Sequence, residues 1–331
     1  MKHLSILVPV EQTTMSTVAC IVGGFQVFTE ANQFLERKGE KPIFKIALAG
    51  ASKNGSLTNG FFTIRQDCTI DEIAVTDLVI IPASQVRSFE TATKSNQLLM
   101  NWIAKQYKQG AEIASMCAGG FMLASAGLLA GKTCSTHWAL SDEFRTLFPD
   151  INLQTDKLIT DENGIYTNGG AYSFLHLLMY LVEKFYGRET AIHCAKYFQI
   201  DLDRGSQARF SIFNGHKKHN DDIILNAQRF IEENYQDKIS IEKLSVGLGV
   251  VRRNFDRRFI KATGLTPLDY LQRVKIEVAK KSFENSRKSV NEVMYDVGYN
   301  DRKAFRDVFS RVTGMSPIDY KSRYNKANLF L

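Results

Sequence analysis

Short apolar segments rich in β-branched residues alternate with longer segments of helical periodicity over the first 200 residues. The apolar segments cover residues 4–10, 43–49, 77–82, 111–116 and 158–167. Helical spacing of apolar residues covers residues 15–38, 94–109, 118–130, 137–147 and 170–186. Strands that alternate with helices in this way form a sheet with helices on both faces. The pattern therefore predicts an α/β domain over residues 1–200 with a doubly wound, largely parallel sheet.

The strand pattern stops after this domain. Residues 201–220 are polar and carry two glycines and two consecutive lysines, so we interpret them as a linker. Beyond them, Ile223, Ala227 and Phe230 begin a helical spacing that continues to residue 324. We expect an all-α domain over residues 221–331.

The second domain contains an internal repeat. The segment Phe259–Tyr270 recurs as Phe309–Tyr320, and Phe, Thr, Gly, Pro, Asp and Tyr return with an offset of fifty residues. In each copy the glycine ends one helix and the Thr-Pro or Ser-Pro step begins the next. Two copies are too few for a solenoid. They suit two small helical units joined by one long helix, about residues 267–282.

In front of each repeat the pattern predicts a short helix, a glycine-containing turn and a second helix. These are residues 241–249 followed by 251–263, and 290–298 followed by 301–312. This is the helix-turn-helix plan, in which the second helix lies in the DNA major groove. The sequence thus predicts a double helix-turn-helix.

The predicted second helices share one arrangement of inward and outward residues. Phe255 and Phe259 face inward on the first helix, as Phe305 and Phe309 do on the second. The outward residues, which we predict to contact DNA, are Arg252, Arg253, Asp256 and Arg257 in the first and Arg302, Lys303, Arg306 and Ser310 in the second. An arginine can bond guanine O6 and N7 with both arms of its guanidinium.

The charge of the chain supports this interpretation. The formal net charge is +7. Residues 1–216 carry 19 Lys/Arg and 20 Asp/Glu, while residues 217–331 carry 23 and 15, so the two parts have net charges of −1 and +8. A basic module attached to a neutral domain is typical of nucleic-acid binding.

Residues 222–324 resemble the AraC/XylS family of transcription regulators, on the double helix-turn-helix and the Gly-x-[Thr/Ser]-Pro motif followed by Tyr. The resemblance implies that the two recognition helices read successive major-groove faces of one operator half-site. It also implies that Arg253 and Arg257 contact bases or phosphates, as Lys303 does from the second helix.

Two departures from the family pattern change these expectations. Val251 stands where relatives usually have an N-cap serine, and valine cannot accept a hydrogen bond from the first N–H groups of the helix. Asp307 stands where relatives often have an arginine, which this chain carries one position earlier at Arg306. We therefore expect the first recognition helix to contribute more base specificity than the second.

A cysteine in the first domain is a candidate reactive group. Cys117 follows an apolar strand and precedes a small-residue turn and a helix, as in a nucleophile elbow. A thiol at a helix N-terminus is acidified, and His137 follows twenty residues later. Because buried cysteines are usually inert and a lone histidine is more often structural, the residues alone leave both interpretations open.

Residues 3–186 resemble the class I glutamine amidotransferase-like superfamily, in its branch of intracellular proteases and stress proteins of flavodoxin-like fold. The motifs are Met116–Gly119, Ala124–Gly131 and Thr136–Trp138. With the second domain, the whole chain resembles GlxA-type regulators. The resemblance makes Cys117 the elbow cysteine and His137 its neighbour.

The carboxylate that enzymatic relatives place beside the cysteine is missing from its expected position. Ser16 stands there, Glu11 comes too early, and His176 replaces the aspartate that related regulators often carry. We therefore expect no catalysis but a degenerate ligand pocket that contains Cys117, Gly119, His137, Ser16 and His176. The alternatives are a cysteine-dependent hydrolase or amidase, and a redox sensor in which Cys117 is oxidised.

The five cysteines are odd in number and widely spaced, without a CxxC or Cys/His cluster, so we expect no disulfide framework, no metal site and no cofactor. A reducing cytoplasm fits this composition. The expected partners are operator double-stranded DNA, a small-molecule effector, a second copy of the chain and RNA polymerase. No membrane partner is expected.

Overall fold

Two units make up the chain in the computed structural model, Met1–Gln207 and Ala208–Leu331. The structure describes residues 1–9, 14–52, 56–58, 62–84, 94–202 and 204–325. Glu11 lies outside the described residues, as do Asp203 in the predicted linker and the last six residues of the chain.

The first unit contains a seven-stranded sheet and two short strand pairs. The strands are β1 Lys2–Val8, β2 Phe44–Gly50, β3 Ser56–Thr58, β4 Thr63–Arg65, β5 Cys68–Thr69, β6 Leu78–Ile81, β7 Glu112–Ser115, β8 Thr133–Cys134, β9 Asn152–Leu153, β10 Ile159–Glu162 and β11 Ile165–Asn168. The sheet has the order β10-β11-β7-β6-β1-β2-β5, and only β10 runs antiparallel to its neighbour. The predicted parallel α/β sheet is confirmed.

The last predicted strand, residues 158–167, is a hairpin of β10 and β11. Asn163 and Gly164 turn the chain between them with φ angles of +54° and +74°. These left-handed angles favour asparagine and glycine. The apolar pattern continued across the turn and did not reveal it.

Helices flank this sheet. They are α1 Met15–Arg37, α2 Gln97–Lys108, α3 Gly119–Ser125, α4 Ser141–Leu147, α5 Phe174–Tyr186 and α6 Arg188–Phe198. The helix predicted over residues 118–130 is shorter, and the chain turns at Gly127 with φ +75°. Helix α6 was not predicted. Its buried Ala191, Cys194 and Ala195 pack into the same core as the sheet.

The central strands are buried on both faces, because helices cover them from both sides. All four residues of β6 are buried, as are Leu4, Ile6, Leu7 and Val8 of β1. Burial on both faces explains why these strands are continuous apolar runs.

The second unit is helical. Its helices are α7 Asp222–Glu233, α8 Ile241–Gly247, α9 Arg252–Thr263, α10 Pro267–Asn285, α11 Val290–Asp296, α12 Arg302–Thr313 and α13 Pro317–Tyr324, preceded by a one-turn 3-10 helix, Ala208–Phe210. Helix α10 is the expected long connection. It contributes Tyr270 to one hydrophobic core and Phe283 to another.

The repeated motif has the same local geometry in both copies. Gly264 and Gly314 end α9 and α12 with φ angles of +72° and +71°. Thr266 and Ser316 then cap α10 and α13 by accepting the N–H groups of Asp269 and Asp319. The roles expected for the Gly and the Thr-Pro or Ser-Pro step are those observed.

Candidate DNA-binding surface and effector site

The inner faces of the two recognition helices, α9 and α12, are anchored in the same way. Phe255 and Phe259 are fully buried, and the Phe259 ring meets Tyr270 edge-on at 5.3 Å. Phe305 and Phe309 are also buried, and Phe309 meets Tyr320 edge-on at 5.5 Å.

Each of these tyrosines also bonds a glutamate. Tyr270 Oη donates to Glu232 Oε1 at 2.6 Å, and Tyr320 Oη donates to Glu284 Oε1 at 2.5 Å. Glu232 lies on α7 and Glu284 on α10, so the end of α10 supports the second helix-turn-helix as α7 supports the first. With their inner faces held alike, α9 and α12 expose equivalent outer faces.

The outer face of α9 carries four of the predicted DNA contacts. Arg253 and Arg257 are exposed, and among the described residues Arg257 bonds only the Asn254 side-chain oxygen, at 3.0 Å. Arg252 Nε instead donates to both carboxylate oxygens of Asp256 at 2.9 Å. Arg252 and Asp256 thus neutralise each other, and Arg253 and Arg257 are the cations most available to DNA.

The outer face of α12 carries the other four. Arg302, Lys303 and Arg306 are exposed, and Ser310 is half-buried. The Arg306 side chain lies 3.8 Å from the carboxylate of its neighbour Asp307. This close acid lowers the positive potential that Arg306 presents to a phosphate.

The beginnings of the recognition helices differ. Val251, 78% exposed, precedes α9 with no side-chain cap. Before α12, Asp301 Oδ1 accepts the Ala304 N–H at 2.7 Å. The weaker start expected for the first recognition helix agrees with this geometry, whereas the capping role of Asp301 was not noticed in the sequence.

In the first unit, Cys117 follows β7 as an elbow residue. Its φ is +53°, a left-handed value that is strained for a non-glycine residue. A Cβ at Gly119 would lie 2.7 Å from the carbonyl oxygen of Pro82, so only glycine allows this close approach. The structure thus has the predicted elbow geometry.

The thiol of Cys117 is not acidified, contrary to the expectation for a helix N-terminus. The residue is 6% exposed, and burial raises its pKa to about 11, although the Ala118 N–H lowers it in part. Desolvation of the thiolate outweighs the contribution of the helix end. At neutral pH the thiol is protonated and a weak nucleophile.

His137 lies on a segment beside the elbow. Thr136 Oγ1 donates to the Cys117 carbonyl oxygen at 3.1 Å. The His137 Nδ1 accepts the Ala139 N–H at 3.1 Å, and burial lowers the His137 pKa. Across the described residues, no hydrogen bond joins the imidazole to the Cys117 thiol. Among the described residues, His137 is therefore not in position to act as a general base for Cys117.

Asn168 ends β11, the strand that pairs with β7, and is fully buried. Its Nδ2 donates to the carbonyl oxygens of Leu158, Gly169 and Ser173 at 3.1–3.3 Å. These three acceptors establish which end of the amide is nitrogen. The Oδ1 atom has no donor among the described residues.

A glutamine at the end of the first unit contacts both the Thr136–Trp138 segment and Gly169, the residue after Asn168. Gln207, 1% exposed, donates from Nε2 to the Thr136 carbonyl oxygen at 2.9 Å and accepts the Trp138 N–H at 3.3 Å. A Cβ on Gly169 would lie 2.0 Å from Gln207 Nε2, so the amide packs directly on this glycine. Neither Gln207 nor Asn168 can be identified from the sequence, because neither belongs to a motif.

Ser16 and His176 are the other residues predicted for the pocket. Ser16 is half-buried in the first turn of α1. His176, in the first turn of α5, lines a cavity of about 240 Å³ with Tyr180, Glu183 and Asp201. Cys117 does not line this cavity, so the structure does not group His176 with the elbow.

The described residues contain neither a candidate metal site nor a membrane-spanning helix. No group of three or more His, Cys, Asp or Glu side chains there is arranged to hold a metal ion. No helix in the same residues is long and apolar enough to span a bilayer.

Each of the two units matches a known protein family. Residues 28–184 match the DJ-1/PfpI family, and residues 244–323 match a helix-turn-helix domain family. The HTH-type transcriptional regulator GbdR of Pseudomonas aeruginosa is 24% identical over 257 residues, 77% of this chain and 69% of the relative.

The regulator GlxA of Rhizobium meliloti is 26% identical over 225 residues, 65% of this chain and 66% of the relative. In fold, the first unit is similar to Drosophila melanogaster DJ-1beta, with a TM-score of 0.50 and 16% identity over 60% of this chain and 98% of that one. The chain is a DNA-binding transcription regulator that joins a DJ-1/PfpI domain to an AraC-type double helix-turn-helix domain.

Proposed function

We propose that the chain reads its operator through α9 and α12 and that a small molecule bound to the first unit regulates this binding. The effector site is the edge of the sheet where β7 and β11 end. The observation that carries this site is the buried Oδ1 of Asn168, which has no donor among the described residues.

A buried polar atom without a hydrogen bond costs about 1–3 kcal/mol. A ligand that donates an N–H or O–H to Asn168 Oδ1 recovers this energy. The site also lies where ligands bind in doubly wound sheets, beyond the carboxyl ends of the strands. We therefore propose a small effector with a hydrogen-bond donor, next to Asn168, Cys117 and His137.

At the DNA we propose unequal roles for the two recognition helices. Arg253 and Arg257 of α9 supply base contacts, while Arg302, Lys303 and Arg306 of α12 mainly contact phosphates, with Ser310 at their margin. The availability of Arg253 and Arg257 supports the larger role of α9, and the acid beside Arg306 supports a smaller contribution from α12. Arg252 and Asp256 hold each other and support the α9 surface.

We further propose that the first unit is not catalytic. A protonated Cys117 without a hydrogen-bonded base argues against a hydrolase or amidase. The same protonated thiol reacts slowly with peroxide, which argues against the redox sensor. A second copy of the chain and RNA polymerase remain proposed partners, to be tested by sedimentation of the protein and by transcription in a purified system.

Genomic footprinting tests the proposal, because it identifies the bound operators and the operons beside them. The substrates and products of the enzymes encoded in those operons are then added one by one to the full chain and a labelled operator at fixed salt. We expect one of these compounds to change the operator Kd at least fivefold in the wild type and less than twofold in Asn168→Leu. If every compound that binds the chain leaves the operator Kd unchanged, effector regulation is wrong.

A further inference from the structure

The segment that follows Gln207 is held along the second unit. We call residues 208–219 the strap. The one-turn helix Ala208–Phe210 packs against α12, and the residues after it run along α10 and α7. The sequence had suggested a polar linker over these positions.

A buried ion pair on α10 holds the centre of the strap. Lys280 Nζ donates to Glu277 at 2.7 Å and to the Ser211 carbonyl oxygen at 2.6 Å. Glu277 also accepts the Phe213 N–H at 3.2 Å. Lys280 is only 5% exposed, and such a desolvated pair keeps its geometry because losing either partner leaves a buried charge.

Aromatic and amide contacts hold the rest of the strap on the first helix-turn-helix. The Phe213 ring meets Tyr270 edge-on at 5.1 Å. Gln228 of α7 donates to the Gly215 carbonyl oxygen at 2.5 Å, and a Cβ on Gly215 would lie 2.7 Å from Tyr270 Oη. Tyr270 is the residue that anchors Phe259 of α9, so the strap contacts the support of a recognition helix.

Gln207 and Ala208 are consecutive, so the last anchored residue of the first unit is bonded directly to the first residue of the strap. The Gln207 amide is bonded to the segment that carries His137, and Thr136 of that segment is bonded to Cys117. The next residue already belongs to the strap. A displacement of the Gln207 backbone is therefore passed directly to Ala208 through the peptide bond that joins them.

We propose that Gln207 is the positioning residue through which the effector site controls DNA binding. A ligand that changes the Thr136–His137 segment or the Gly169 loop displaces the Gln207 amide. The strap then shifts along α10, which supports both recognition helices. This inference rests on the effector site proposed above, but it specifies the route of regulation and can be tested without the effector.

Gly169→Ala imitates such a displacement. The added methyl occupies space now taken by the Gln207 amide, so the amide must leave. Gln207→Ala removes the same amide directly. We expect each variant to change the Kd for a labelled operator at least fivefold, in the same direction. The double variant should equal Gln207→Ala alone, because the three atoms nearest to the added methyl all belong to the Gln207 amide and are then absent.

Gly205→Ala is the matched control, since an added Cβ there meets nothing within 4 Å. It should bind the operator as the wild type does. Hydrogen exchange provides a second readout: the Phe213 amide should exchange faster in Gln207→Ala than in Gly205→Ala, with circular dichroism unchanged. If Gly169→Ala fails to fold, Gln207→Ala and its Phe213 exchange still test the proposal.

The proposal is wrong if Gln207→Ala folds and binds the operator within twofold of the wild type, or if the effects of the two single variants add. Its failure differs from a failure of effector sensing. A compound that changes operator binding equally in wild type and Gln207→Ala would keep the effector site and remove the route through Gln207. If the operator Kd changes in Gly169→Ala but no compound changes it in the wild type, the route through Gln207 stands and the effector site is wrong.

Discussion

At the scale of single residues, neighbouring acids decide which arginines are available to DNA. Arg252 is bonded to Asp256 and Arg306 lies beside Asp307, whereas Arg253 and Arg257 make no ion pair among the described residues. Ion pairs within the protein must break or be shared before the cation can neutralise a phosphate. Counting basic residues in the sequence therefore overstates the contribution of Arg252 and Arg306.

Arg257→Ala should weaken specific operator binding more than Asp307→Ala does. Loss of one bidentate base contact costs about 1–3 kcal/mol, or roughly 5- to 150-fold in Kd. Asp307→Ala removes an acid from the DNA-facing side and should weaken binding less than twofold, or strengthen it. Gel-shift titrations at one fixed salt concentration measure both. Equal losses, or a larger loss for Asp307→Ala, would reverse the assigned roles of α9 and α12.

Cysteine alkylation tests the protonated state of the elbow thiol. Cys117 and Cys20 are almost completely buried, and their pKa values are raised to about 11 and about 12. Cys68 is partly exposed, and although its pKa is also raised, reagents can reach it. In the native chain at pH 8, we expect iodoacetamide to modify Cys68 first, as peptide mass spectrometry would show. Faster labelling of Cys117 would favour the hydrolase or the redox sensor.

Asp221 provides a pH-dependent contribution to stability. Its carboxylate accepts two bonds from Arg258 at 2.7 and 2.9 Å, and this guanidinium lowers the Asp221 pKa below the ordinary value of 3.8. A lowered pKa stabilises the folded state above the ordinary pKa. That stabilisation is lost as the pH falls through the lowered one.

Asp221→Asn removes the ion pair but keeps a side chain that can cap α7. At pH 7 we expect the free energy of unfolding to fall by up to about 1 kcal/mol, a typical value for a partly exposed pair. The difference should shrink as the pH drops below about 3.8. Urea unfolding at several pH values measures this difference in the free energy of unfolding. Hydrogen exchange in α7 and α9 is the readout. A difference that grows on acidification would contradict the assigned ion pair.

At the scale of helices, the two recognition helices differ in how they begin. Helix α9 starts after an exposed valine, while α12 starts with an aspartate cap. Uncapped N–H groups leave the first turn free to fray in the absence of DNA. We infer that α9, the helix with the more available arginines, completes its first turn when it binds.

Val251→Ser should supply the missing cap. A serine cap stabilises a helix start by about 1 kcal/mol, so the amides of the first turn of α9 should exchange several-fold more slowly. Asp301→Ala is the reciprocal variant and should speed exchange at the start of α12. Hydrogen exchange of the full chain without DNA reads both helices in one experiment. Unchanged exchange in α9 would mean that packing, not capping, holds its first turn.

Helix α10 holds the two helix-turn-helix units together. Lys275 donates to the Gly298 carbonyl oxygen at 3.2 Å, and Arg311 of α12 donates to Asp269 at 3.2 Å. Lys275 is 7% exposed. These contacts from the middle and the start of α10 fix the separation of the units, so the spacing of their DNA contacts is set before binding.

At the scale of the whole molecule, the excess of positive over negative charge lies in the part with the recognition helices. The chain before residue 217 is nearly neutral and the remainder carries a net charge of +8. Phosphate contacts release counterions, so binding by a basic surface falls steeply with salt. DNA binding should therefore be a property of the second unit alone.

Deleting residues 222–331 should abolish binding to an operator that the full chain binds. The remaining chain lacks both recognition helices and carries no excess of positive charge, so we expect no retained complex at physiological salt. A gel shift with the full chain beside the deletion measures this. Sequence-specific binding retained by the remaining residues would overturn the assignment of the DNA-binding unit.

The sequence alone determined the broad organisation of this protein. Apolar runs and helical spacing are local properties, so the parallel sheet, the helical second domain and the two Phe-x-x-x-Phe faces followed from periodicity. The positive φ of Gly264 and Gly314 also followed, because only glycine adopts it without strain. The hairpin of β10 and β11 and the helix α6 did not, since turn residues and helix starts in apolar sequence leave a weak signal.

Only the tertiary structure decided which residues meet. Arg252 pairs with Asp256, and burial of the Cys117 thiol raises its pKa. His176 lines a cavity to which Cys117 does not contribute. The Gln207 amide packs against Thr136 and Gly169. Lys280 and Glu277 pair with each other and hydrogen-bond the backbone of the strap. Burial and long-range hydrogen bonds depend on the packing of distant segments, and no pattern along the chain encodes them locally.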